Sequence, residues 1–360
     1  MARLHNFSAG PSPMPTEILD EVRNELLDYQ GLGASLLEVS HRSDEYTQVE
    51  ASLREDLTAL MGLGDDWHIL LLQGGASMQF HQVPLNFLQS GHCAGYLVTG
   101  QWAQNALDEA LLLGDAYALA SSEEDLFSRL PAVDSYRTEP LTSYIHFTSN
   151  NTIYGTQFHA DPQTDASIPL VCDASSDFLG RPVNLSRYNL IYAGAQKNLG
   201  PSGVTIVLVR KSYLETAAAD LPTMLSYRTH AGKLFNTPPV FATWIVSKVL
   251  RRLREQGGVA VQYEKNKQKA ATLYAEIDRT GFYRGTVTQK SDRSLMNVTF
   301  RIADEALEKA FITESEAAGF IGLKGYRAVG GMRASLYNAV EQDSVDALVG
   351  FMREFERVRG

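Results

Sequence analysis

Only two cysteines occur in the 360 residues, Cys93 and Cys172, and neither belongs to a CxxC pair or a Cys/His cluster. A disulfide framework and a structural zinc module are therefore not expected. Positive charge is also scarce: 32 Lys and Arg stand against 42 Asp and Glu, a net charge of −10. A nucleic-acid partner would call for a basic footprint, so none is expected. No run approaches the ~20 apolar residues that a bilayer-spanning helix needs. The opening "MARLHNFSAGPSPMP" has no apolar core of signal-peptide length. Internal repeats, low-complexity stretches and long linkers are missing too. The expectation is a reduced, soluble, cytoplasmic protein without a membrane partner.

What is present is the composition of an ordinary globular chain, 44% hydrophobic and 21% charged. Its length allows two domains and a large core. "TEILDEVRNELLDY" (16–29) predicts a helix with Thr16 as N-cap, and a second helix fits 45–61. From 68 the pattern changes. Short apolar runs at 68–73, 94–99, 143–149, 168–173, 188–193 and 204–210 read as strands, with helical stretches between the first of them. Fully apolar strands alternating with helices predict a mostly parallel sheet covered on both faces. Helices are expected at 241–256 and 260–278, an alternating strand at 295–302 and a last helix at 343–358. The whole predicts a large α/β domain over 16–262 and a smaller α+β domain over 263–360 together with 1–15.

Ligand sites in open α/β sheets lie beyond the carboxyl ends of the strands. Three loops there carry chemistry. "GGAS" (74–77) follows a strand and opens a helix, where glycines admit close backbone approach and free N–H groups favour a phosphate. Asp173 ends an apolar strand, where a carboxylate is costly unless it has a partner, such as a cap or a salt bridge. Lys197, in "GAQKNLGPSG" (194–203), also follows a strand and has uncharged neighbours. Each feature alone is ambiguous. Together they match what pyridoxal phosphate requires: a phosphate cradle, a carboxylate for the pyridine nitrogen and a lysine for the aldehyde. A lysine of depressed pKa can act as nucleophile and then as proton carrier.

"NFSAGP" (6–11), "SHR" (40–42), "GGAS", "YAGAQKN" (192–198), "FNTPP" (235–239) and "GGMRASLYNA" (330–339) resemble the phosphoserine aminotransferases, within class V of the fold-type-I pyridoxal-phosphate enzymes. The motifs run from one end of the chain to the other in the family's order. The resemblance implies a large domain built on a mostly parallel seven-stranded sheet. It implies that Lys197 holds pyridoxal 5'-phosphate covalently, that Asp173 binds the pyridine nitrogen and that Trp102 stacks on the ring. Ala76, Ser77 and Gln196 would contact the cofactor phosphate, and Thr152 the cofactor's phenolic oxygen or phosphate. Asn236 and Thr237 would reach the cofactor of a neighbouring subunit, which implies a homodimer with shared sites. Arg333 would clamp the substrate α-carboxylate. His41 and Arg42, assisted by Arg327, would bind the distal carboxylate or phosphate. The implied reaction exchanges the amino group between glutamate and 3-phosphohydroxypyruvate, in serine biosynthesis, with 4-phosphohydroxythreonine of pyridoxine biosynthesis as a further substrate.

Three positions depart from many relatives. Tyr326 stands where they have histidine, Ser77 where some have arginine and Ala9 where some have serine. The first two changes remove positive charge near the expected phosphate, which shifts its recognition onto His41, Arg42 and Arg327. A desulfurase of the same class would need a mobile nucleophilic cysteine. Cys93 starts a strand and Cys172 precedes Asp173, so neither is placed for that. A binding protein without catalysis would need none of Lys197, Asp173 and Arg333.

Overall fold

The computed structural model describes residues 3–327 and 329–360; Met1, Ala2 and Ala328, which fall in the expected smaller domain, lie outside them. Seven strands form the main sheet, in the spatial order Trp67–Leu72, Thr205–Arg210, Leu190–Gly194, Leu170–Asp173, Thr142–Thr148, Cys93–Val98, Asp115–Ser121. Thr205–Arg210 runs antiparallel to both its neighbours and every other pairing is parallel. Six strands therefore share one direction, and their carboxyl ends share one edge.

Alternation along these strands packs apolar side chains on both faces of the sheet. Tyr144, Val171, Tyr192 and Val207 face Phe80, Val83 and Phe87 of helix Gly75–Phe87 and Ala106 and Leu107 of helix Gln101–Leu111. Ile145, Cys172, Ile191 and Ile206 face Leu53 and Leu57 of helix Asp44–Met61 and Val246 and Leu250 of helix Val240–Glu255. Both faces of the sheet are thus covered, as apolar strands without polar alternation require.

The strand Asp115–Ser121 escapes the sequence reading because it lies at the edge. Asp115, Ala118 and Ser121 are exposed, which breaks the apolar run. The first helix also differs from expectation. Pro15 holds the N-cap position and Thr16 is already helical, and the helix stops at Glu25. Beyond it the chain bends so that Tyr29 N–H bonds Ala34 O at 2.9 Å and the Tyr29 ring meets Trp244 edge-on at 5.6 Å.

A second core lies beyond the main sheet. Met332–Ser335, Asn297–Ile302 and Tyr283–Gly285 form a three-stranded antiparallel sheet. It is backed by helices Gly258–Ile277, Glu308–Ala317 and Gln342–Arg359. Phe300, Phe311, Met352 and Phe355 fill it, and Phe7 from the N-terminus joins them. His5–Asn6 pairs in parallel with Phe320–Ile321, so the N-terminal segment starts from this unit.

Candidate active site

The loop carrying Lys197 begins where Leu190–Gly194 ends. Leu199 N–H bonds Ala195 O at 3.1 Å and Ala195 N–H bonds Val204 O at 2.9 Å, so backbone bonds close it. Gly200 and Gly203 adopt φ of +144° and +119°, conformations open to glycine. Lys197 Nζ donates to Thr152 Oγ1 at 3.1 Å. Arg333 Nη1 donates to Thr152 O at 3.1 Å. Thr152, itself buried, therefore holds the lysine on its side chain and the arginine on its backbone.

Asp173 closes its strand, 3% exposed, with Oδ1 accepting from Ser175 N–H at 2.9 Å. Burial pushes its carboxyl up, opposed by the Lys197 ammonium and by the Ser175 bonds. Burial likewise draws the Lys197 amine down to about 8, opposed by the Asp173 charge and assisted by Arg333. Lysine and aspartate thus sense each other across the site, and the amine gains a substantial neutral fraction near physiological pH.

The other expected residues divide into two groups. Trp102 lies in the first turn of Gln101–Leu111, just after Gly100, where a Cβ would come within 2.7 Å of Asn151 Oδ1. That helix start packs on the loop bearing Thr152. Ala76 and Ser77 lie in the first turn of Gly75–Phe87, the first half-buried and the second exposed. Gly74 precedes them at φ +91°, and a Cβ there would strike Met78 Cβ at 2.5 Å. Gln196 folds its amide beside Gly194. Asn236 Nδ2 donates to Gln73 Oε1 at 3.1 Å, next to the glycine turn of its own chain. Thr237, Arg42 and Arg327 are exposed and His41 is half-buried. Among the described residues no hydrogen bond or ion pair ties these four to Lys197, Asp173 or Arg333.

Among the described residues Trp102 Nε1, Thr148 Oγ1 and Arg333 Nε are buried and find no hydrogen-bond partner, and Thr148 sits in register with Asp173. Buried polar atoms are normally paired. Three orphans beside a helix N-terminus, a buried carboxylate and a lysine of lowered pKa fit pyridoxal phosphate and an acidic substrate. The family model for Aminotransferase class-V matches residues 4–348.

The chain belongs to the class-V aminotransferases.

It is a pyridoxal-phosphate-dependent transaminase. It is 48% identical over 359 residues to the phosphoserine aminotransferase of Geobacillus kaustophilus, with 99% of each chain covered. The solved phosphoserine aminotransferase from Bacillus circulans subsp. alkalophilus matches with a TM-score of 0.97, 48% identity and 99% of both chains covered. The PLP-bound phosphoserine aminotransferase from Trichomonas vaginalis matches with a TM-score of 0.92 and 32% identity, covering 98% of this chain and 100% of that one.

Around this class-V site stand residues that the sequence reading did not assign. Ser149 N–H donates to Asp173 O at 2.9 Å, and its hydroxyl lies 3.2 Å from the same oxygen. That hydroxyl gives its one proton to Asp177, which also accepts from Gln157 Nε2 at 3.1 Å and Arg181 Nε at 3.3 Å. The signal was present in "DASSDFLGR": an Asp and an Arg four residues apart in an apolar setting.

Proposed function

We propose that this chain is a phosphoserine aminotransferase, acting as a homodimer in the cytoplasm. It would move the amino group between glutamate and 3-phosphohydroxypyruvate to give 3-phosphoserine and 2-oxoglutarate. The observation that carries the reading is the Lys197–Thr152–Arg333 chain, which sets an amine of lowered pKa beside a guanidinium with an unpaired buried nitrogen. An amino acid held there by its carboxylate presents its Cα to Lys197. Neither cysteine favours a desulfurase: Cys172 is buried with its thiol pushed up by burial, and Cys93 Sγ lies 3.6 Å from Pro140 O.

When bound, pyridoxal phosphate supplies an electron sink for the charge left when the Cα proton departs. Lys197 would hold the cofactor, and its freed Nζ would then take the Cα proton and carry it to the cofactor carbon that the lysine had held. Thr152 Oγ1 keeps that amine in place. Asp173 would keep a positive charge on the ring nitrogen. Trp102 would pack against the ring, and Ala76, Ser77 and Gln196 would hold the phosphate at the helix N-terminus. Arg333 would fix the α-carboxylate. His41, Arg42 and Arg327 would meet the distal carboxylate or phosphate, and Asn236 and Thr237 the cofactor phosphate of a second copy. Beside the Tyr29–Trp244 pair, exposed Phe241 meets the Trp244 ring at 6.0 Å and the N–H of exposed Leu32 bonds Tyr29 O at 3.0 Å, an apolar surface suited to that copy. The division into 16–262 and 263–360 with 1–15 is part of this reading, supported by Phe7 packing in the second core.

The test is a coupled assay of glutamate with 3-phosphohydroxypyruvate beside hydroxypyruvate. The phosphorylated acid should be preferred by at least about a hundredfold in kcat/KM, the scale of a lost charge-assisted contact. Equal activity on both would refute phosphate recognition.

A further inference from the structure

The N-terminal segment spans the two cores and crosses the lysine on the way. At one end His5 N–H bonds Gly319 O at 3.0 Å, Phe7 N–H bonds Ile321 O at 2.8 Å, and Phe7 O accepts from Ser335 N–H at 3.2 Å. Phe7 is fully buried in the second core. At the other end Ser12 N–H bonds Gln196 O at 2.9 Å and Ser12 Oγ donates to Lys197 O. Between these anchors Gly10 lies along the lysine, where an added Cβ would sit 3.5 Å from Lys197 Cγ and 3.8 Å from Cε. The backbone at 8–12 thus walls one side of the reactive amine.

The middle of that strap is tied by the phenol of Tyr337, whose hydroxyl donates to Ala9 O at 2.8 Å. Tyr337 is fully buried and its oxygen also accepts from Asn297 Nδ2 at 3.2 Å. A phenol has one proton to give, so Ala9 takes all of its donor capacity. Asn297 is fixed in turn. Its other amide proton goes to Ser335 Oγ at 2.9 Å, and its oxygen accepts from Asn150 Nδ2 at 2.7 Å. Asn150 stands two residues before Thr152, the partner of Lys197. Through the phenol oxygen and then the Asn297 amide, the strap is therefore tied to the strand bearing Arg333 and to the loop bearing Thr152. Burial pushes this phenol up to about 12, so it remains a donor throughout the working pH range.

We propose that Tyr337 is a positioning residue, whose bond to Ala9 holds residues 8–12 against Lys197 and so fixes the direction of its amine. The inference rests on the role proposed for Lys197. Tyr337→Phe removes one oxygen and keeps the ring, so the core stays filled. In the apoprotein, amide hydrogen exchange over residues 8–12 should quicken about tenfold, the effect of one lost buried hydrogen bond. In the holoenzyme kcat should fall about tenfold while KM for glutamate stays within about twofold, since Arg333 is untouched. A purely structural role would lower Tm and leave kcat alone. Exchange at the wild-type rate, or faster exchange with kcat unchanged, overturns the proposal. Should the wild-type protein itself fail to turn over glutamate, the assignment of Lys197 falls, and the exchange arm still decides whether the tie exists.

Discussion

At the residue scale the site depends on two groups that burial pushes in opposite directions. Burial lowers Lys197 to about 8 and raises Asp173, and each limits the other's shift. The sign of the consequence follows. Covalent capture of pyridoxal phosphate needs the neutral amine, whose fraction grows from about a tenth at pH 7 to about half at pH 8. The rate at which apoprotein captures the cofactor should therefore rise with pH and inflect near 8. Asp173→Asn removes the charge that favours the ammonium, so its inflection should move lower. Stopped-flow absorbance reads both, and an inflection above 10 would show an amine free in solvent. Lys197 and Asp173 were legible because each stood alone at a strand end without a local counter-charge. Asp177 was marked only by Arg181 four residues on, and Tyr337 and Ser149 were not legible at all. Their roles are hydrogen bonds spanning tens to hundreds of residues in sequence, and no local pattern encodes such a pairing.

At the element scale a buried lysine that donates to backbone carbonyls rather than to a carboxylate holds the loop after the Arg333 strand. Lys269, on helix Gly258–Ile277 and 2% exposed, donates to Leu336 O, Tyr337 O and Val340 O at 2.9, 2.8 and 2.9 Å. The same loop docks Asn338 N–H on Asn198 Oδ1 at 3.0 Å, beside Lys197. Burial draws Lys269 down to about 7, opposed by Glu341 and assisted by Lys265. Lys269→Met would orphan three carbonyls and should cost about 3 kcal/mol in unfolding free energy. Because the folded value is depressed, the unfolded chain binds more protons between about 7 and the ordinary lysine value, so wild-type stability gains from this group as pH rises. The deficit of the variant should widen between pH 6 and pH 9 in urea titrations. A deficit under about 0.5 kcal/mol would mean that water replaces the lysine. The elements themselves were largely legible, because apolar strands and amphipathic helices carry their own periodicity. The edge strand Asp115–Ser121 was not, since exposure removes the apolar run that marks its neighbours.

At the scale of the whole molecule the open question is which chain completes which site. Within one chain Asn236 bonds Gln73, beside the glycine turn that would cradle the cofactor phosphate. A homodimer with shared sites would instead present Asn236 and Thr237 to the partner. The two arrangements differ in what mixed subunits can do. A Lys197→Ala subunit lacks the reactive amine in its own site. An Asn236→Ala/Thr237→Ala subunit keeps its lysine and loses the contacts that its "FNTPP" segment offers. With sharing, a mixed dimer holds one intact site: the lysine of the second subunit served by Asn236 and Thr237 of the first. Random reassociation of equal amounts makes about half the dimers mixed, each with one working site of two, so about a quarter of wild-type activity should return. Each variant alone should stay near its own low level. If Asn236 serves its own chain, both sites of every mixed dimer carry a lesion and mixing restores nothing. Size-exclusion chromatography with light scattering on the same samples should show a mass of about twice 39.7 kDa, and a monomer would end the shared-site reading before any mixing is done.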